Sequence, residues 1–114
     1  VSKMNVHVGG ARDMGKRFLS AWNRAQAAER VDERHVTFLS LEEMLAALSP
    51  KRLEVLRHLH REGADSVKAL ALALNRDYKR VHEDVAILEN AGLVVRENGR
   101  LGAPWDALTA EVSL

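Results

Sequence analysis

Residues 66–92, SVKALALALNRDYKRVHEDVAILENAG, hold two short runs of helical periodicity separated by a break, and the reading of that break decides the fold. In the first run Val67, Leu70, Ala71 and Leu74 recur at steps of three and four, which sets them on one face of a helix. Ser66 stands at the N-cap position. Asn75, a residue type that tolerates a left-handed backbone, follows the last apolar position, and Asp77 is suited to cap a new helix. The stretch therefore turns a corner instead of continuing as one long helix. From Tyr78 a second apolar stripe, Val81, Val85, Leu88 and Ala91, runs to Gly92, a glycine where a helix C-terminus favours one.

The second helix leaves a charged surface. Arg76, Tyr78, Lys79, Arg80 and His82 crowd its start, whereas Glu83, Asp84, Glu89 and Asn90 are left outside further along. Cations at a helix N-terminus oppose the macrodipole at about 0.3–1 kcal/mol each, so their gathering there asks for a reason. A solvated charged face is the plain reading of such a helix taken alone. In a helix-turn-helix, however, the N-terminal residues of the second helix enter the major groove, where cations meet phosphates and guanine edges. Lys79 and Arg80 are the first candidates; because Val81 faces inward, Arg80 suits a phosphate as well as a base. Tyr78 can hydrogen-bond a phosphate or pack on the core, and His82 can donate to a phosphate. Ser66 and Lys68, opening the preceding helix, are placed for backbone anchoring or, more plainly, for capping and solubility.

The flanking segments fit the same plan. Ser49-Pro50 opens a helix whose Leu53, Leu56 and Leu59 mark a buried face ending near Gly63, so residues 50–91 form three helices with short connections. After Gly92, Asn98-Gly99 sits between two short extended runs, the strongest short-range hairpin signal. Arg96 and Arg100 flank its tip and, with Arg76, complete a proposed basic footprint.

Upstream, Met4, Val6 and Val8 alternate with Lys3, Asn5 and His7 as in a half-buried strand. Met14, Phe18 and Trp22 then line one face of a helix from Ala11 to about Arg30, an aromatic stripe read as core or dimer packing. Val36 and Phe38 suggest a second strand, giving a β-α-β segment if the strands run parallel. Ser40 and Glu43 form a capping box for a short helix through Leu45 and Leu48. Leu108, Ala110, Val112 and Leu114 alternate as a last strand, expected to pair with the N-terminal strands or another subunit. The predicted class is α+β: residues 1–48 a strand-helix-strand dimerisation segment with a linker helix, 49–102 a DNA-binding core, and 103–114 a closing strand.

Composition narrows the function classes. The chain has 114 residues, 46% hydrophobic and 29% charged, with a net charge of +1 and no cysteine. It reads as an ordinary domain with no thiol catalysis, no disulfide and none of the usual cysteine ligands of structural zinc. No apolar run approaches the ~20 residues of a membrane helix, and the start lacks the blocks of a signal peptide, so a cytoplasmic protein is expected. Between Pro50 and Arg100 ten Lys or Arg face eight Asp or Glu, so a phosphate-binding surface must come from clustering. No P-loop, dinucleotide fingerprint, HExxH or nucleophile elbow is present. His58 and His60, two residues apart, point to different helical faces and do not make a ligand pair. No enzyme, metal or cofactor is expected.

The run LSPKRLEVLRHLHREGADSVKALALALNRDYKRVHEDVAILENAGLV resembles the winged helix-turn-helix superfamily that includes the multiple-antibiotic-resistance-type repressors. With the β-α-β start and the closing PWDALTAEVSL, the chain is similar to small prokaryotic DNA-binding proteins often encoded beside toxins as antitoxins. The match is most specific through Asp77-Tyr78-Lys79, Val81-His82, Asp84-Val85, Leu88-Glu89 and Gly92-Leu93. The resemblance implies operator binding as a homodimer, repression of the chain's own promoter and, for an antitoxin, masking of a toxin protein. Unlike those repressors, the chain lacks long terminal dimerisation helices and its wing is short, so the N-terminal strand-helix-strand and the last strand are expected to supply any dimer contact. The rival reading is a winged-helix protein-interaction module that never touches DNA.

Overall fold

The computed structural model describes residues 3–9, 33–38 and 40–112. Among them the chain is α+β, with four helices and two small sheets arranged in two compact units, one built from the ends of the chain and the other from Leu45–Trp105. No helix among the described residues is long and apolar enough to cross a membrane.

In the first unit β1 (Lys3–Val8) is the central strand of three, lying parallel to both β2 (Glu33–Phe38) and β5 (Ala107–Val112). The expected parallel pairing of the two N-terminal strands is present, and the last strand closes on β1. Val6 is in register with Val36 and Ala110, and Val8 with Phe38 and Val112, so the apolar alternation of all three strands falls on one face. As befits a strand with two neighbours, β1 is the most buried: Met4, Val6 and Val8 are covered on one face and His7 on the other. The expected helix bearing Met14, Phe18 and Trp22 lies outside the described residues. Val112, grouped with them as a core or dimer residue, is 42% exposed, because β5 lies at the edge of the sheet and not in its middle.

The serine half of the expected capping box is present, with the Glu43 amide donating to Ser40 Oγ at 3.1 Å at the head of α1 (Leu41–Ala47). Met44 and Ala47, three apart, form its buried face; Leu45, one residue round the helix from Met44, is turned out and 59% exposed.

In the second unit α2 (Pro50–Arg61) starts at an N-cap Ser49 with proline in its first turn. Val55, Leu56 and Leu59 are buried and Leu53 is half-buried. The expected stripe is there, shifted to admit Val55. α3 (Val67–Leu74) is capped by Ser66, whose Oγ accepts from the Ala69 amide. It ends at Asn75 in the left-handed conformation, φ 52 and ψ 48. There the Asn75 amide donates to Leu72 O and the Arg76 amide to Ala71 O, which satisfies carbonyls the helix end would leave open. Two residues on, the Asp77 carboxylate accepts from the Arg80 amide and starts α4 (Tyr78–Asn90). At its far end Gly92, φ 82, donates to Glu89 O while Leu93 donates to Leu88 O. Asn98 and Gly99, both at positive φ, turn β3 (Val95–Glu97) into β4 (Arg100–Gly102) as a type I′ hairpin. Leu101 also exchanges both backbone hydrogen bonds with Ala64, so the α2–α3 connection borders the hairpin.

The core of this unit is Val55, Leu70, Val81, Val85, Leu88, Leu93 and Leu101, each no more than 1% exposed. One layer thus draws on α2, α3, α4 and the hairpin. At about 1.5–3 kcal/mol for each such side chain, that layer fixes how α4 is turned.

Candidate nucleic-acid interface

The buried residues of α4 are Val81, Asp84, Val85 and Leu88. At about 100° per residue the direction opposite to them is occupied, within roughly 30°, by Lys79, Glu83, Ala86 and Asn90. All four are exposed. Arg80 and Ile87 lie on one flank of this stripe, Tyr78 and His82 on the other, with Ile87 half-buried and the others exposed. The Tyr78 and His82 rings lie 5.8 Å apart in a tilted pair. Lys79 and Arg80 make no ion pair among the described residues. Their charges therefore stand free at the start of the helix, and the Asp77 carboxylate beside them offsets part of their conflict with the dipole.

The preceding helix supports the same surface. Lys68 is exposed on the first turn of α3, and Ser66 is exposed while its hydroxyl caps that turn. Two cation-bearing helix starts, those of α3 and α4, thus belong to one compact unit.

Arg76 is different. Sequence placed it in the exposed footprint and left Asp84 outside on α4; both assignments need correcting. Asp84 is 7% exposed, and one of its carboxylate oxygens accepts from Arg76 Nη2 at 2.8 Å while the other accepts from Arg52 Nε at 3.1 Å. The Arg52 guanidinium also donates to the carbonyl of Ala46. The reason is helical phase: Asp84 lies beside Val81, Val85 and Leu88 on the inward face, where an unpaired carboxylate would be costly. Arg52 from α2 and Arg76 from the corner neutralise it. This pairing, which withdraws Arg76 from the exposed surface, is the feature that the sequence reading missed; the inward phase of Asp84 relative to Val81 and Val85 was the available signal.

The hairpin arginines are exposed, but neither is free. Arg96 donates from Nε and Nη2 to the two oxygens of Glu89 at 3.1 and 3.3 Å, a forked pair that joins β3 to the last turn of α4. The hydrogen bond to Glu89, and then its charge, raise the Arg96 guanidinium above its ordinary pKa. Arg100 Nη1 donates to Asp65 Oδ1 and its Nη2 to Glu62 O, each at 2.6 Å, tying β4 back to the α2–α3 connection. Of the predicted cations, then, Lys68, Lys79 and Arg80 remain unpaired among the described residues, whereas Arg76, Arg96 and Arg100 are engaged within the protein.

The histidines of α2 are engaged as well. His58 Nε2 lies 3.3 Å from Glu62, and the His60 ring bonds to the carbonyl of Ala103 at 2.9 Å.

These features define an α+β protein whose central unit displays one helix start bearing two unpaired cations. Residues 47–110, more than half of the chain and nearly all of that unit, match the model of the HVO_A0114 family, and the chain belongs to that family. No curated protein and no solved structure matched the sequence.

Proposed function

We propose that Leu45–Trp105 is a winged helix-turn-helix that binds duplex DNA, with α3 and α4 as the helix-turn-helix, α4 as the recognition helix and the β3–β4 hairpin as the wing. The observation that carries this reading is the free cationic start of α4, where Lys79 and Arg80 are exposed and unpaired on a helix held from behind by an aliphatic layer. That is where a recognition helix contacts base edges and phosphates. Lys68 and Ser66 on α3, and Tyr78 and His82 on the flank of α4, serve as phosphate contacts that set register. The resemblance to small prokaryotic regulators extends the proposal to a transcriptional repressor of its own promoter, acting as a homodimer on a two-fold site. As an antitoxin it would also cover a toxin protein.

The paired hairpin arginines favour a second reading, a winged-helix module that binds a protein, because a wing whose cations are already neutralised offers little to phosphate.

Binding to a duplex taken from upstream of the chain's own gene, followed by fluorescence anisotropy across a salt series, separates the two. On the DNA reading affinity falls steeply with salt through counterion release, and Lys79→Ala with Arg80→Ala removes it while the melting temperature stays put. A protein module shows no salt-dependent DNA binding and co-purifies with a partner.

A further inference from the structure

We infer that Glu83 is a base-reading residue and that its carboxylate selects a cytosine in the DNA site; this rests on the DNA reading above. Glu83 is exposed in the middle of the outward stripe of α4, on the same line as Lys79, Ala86 and Asn90. Among the described residues no cation pairs with it. Lys79 is four residues before it, yet the order Lys then Glu is the weaker one for a helical ion pair, and the two make none within 4.0 Å. Both side chains are therefore available to a ligand facing the stripe.

A carboxylate on a phosphate-binding face is repelled by the backbone of the duplex. In the major groove the same carboxylate becomes selective. Cytosine presents its N4 amino group as a donor, whereas guanine O6 and N7 and thymine O4 are acceptors that repel a carboxylate, and adenine sets an acceptor beside its donor. Glu83 thus discriminates by repulsion from the wrong bases as well as by attraction to the right one. Lys79, one turn earlier with its Cβ about 6 Å away, carries the complementary donor for guanine O6 or N7. Ala86, one turn later, presents only a methyl group, the natural neighbour of a thymine methyl. The stripe reads as a short polarity code, cation, carboxylate, methyl, and Arg80 on its flank is left to the phosphates.

The test is a selection from a randomised duplex DNA library with the full chain, sequencing the bound pools of wild type, Glu83→Ala and Glu83→Gln. The wild-type pool should show a cytosine at one fixed position. Glu83→Ala should lose that preference, with discrimination there falling about tenfold and binding to unselected duplex growing tighter. Glu83→Gln should move the preference to adenine, since a carboxamide can bond N6 and N7 together. Unaltered melting by circular dichroism shows that the variants fold. Pools from both variants that match wild type overturn the inference and leave the DNA reading standing. A wild-type pool with no enrichment overturns that reading and this inference together.

Discussion

The start of α4 and the β3–β4 hairpin look alike in sequence, each carrying two cations beside a turn, but the fold treats them in opposite ways. Lys79 and Arg80 keep their charges free in solvent. Arg96 and Arg100 spend theirs on Glu89, Asp65 and the carbonyl of Glu62. The difference follows from what the surrounding backbone presents. The hairpin runs back along the last turn of α4 and the α2–α3 connection, where carboxylates and open carbonyls are in reach. Near the head of α4, Asp77 is used as a cap, Asp84 is turned inward, and Glu83, one turn on, makes no ion pair with Lys79 or Arg80 among the described residues. A basic residue near a predicted DNA-binding element is therefore not yet a DNA contact; the acids around it decide whether its charge is available.

The largest effect that could break this contrast is at Asp84. If Arg76 and Arg52 are structural cations held by a buried carboxylate, Asp84→Ala leaves two guanidiniums poorly solvated and should cost about 3–5 kcal/mol in urea denaturation. Wild-type stability in Asp84→Ala would return Arg76 to the solvent-facing set and enlarge the free cationic surface.

A smaller change sharpens the hairpin side. Gly63 has φ +68, and a Cβ there would come within 3.1 Å of the Arg100 guanidinium and 3.2 Å of the carbonyl of Leu101. Gly63→Ala should cost about 1–2 kcal/mol from the left-handed backbone alone, with more from displacing Leu101, which sits in the core layer. If thermal melting shows no loss, the α2–α3 connection does not hold the hairpin as described.

What sequence disclosed and what it concealed divide along the same physical line. The caps at Ser49, Ser66 and Asp77, the left-handed Asn75, the glycine after α4 and the Asn98-Gly99 turn are local events, decided within a few residues, and each forms where the sequence placed it. The exposure of Lys79, Arg80 and His82 followed from the phase of one helix. The fates of Arg76, Arg96 and Arg100 depend on partners 8, 7 and 35 residues away, and no periodicity shows which acid will meet which base. Arg52, 32 residues from Asp84, was invisible as its partner for the same reason, although the inward phase of Asp84 itself could be read.

The smallest expected effect is the most direct test of the contrast between the two cation pairs. Arg96 is part of a solvent-exposed ion pair, 45% exposed on its own side and 36% on that of Glu89, so Arg96→Ala should change folding stability by less than about 1 kcal/mol. Its effect on DNA should be small too, because reaching a phosphate requires Arg96 to give up the Glu89 carboxylate, and the exchange replaces one charge-assisted fork with another. Arg80→Ala exchanges nothing: a free guanidinium is lost, and in a plot of log affinity against log salt the slope should shrink by about one. The slope for Arg96→Ala should stay near wild type. If the hairpin variant instead flattens the salt dependence as much as the Arg80 variant, then the Glu89 pair opens on DNA and the wing is an equal partner in the contact.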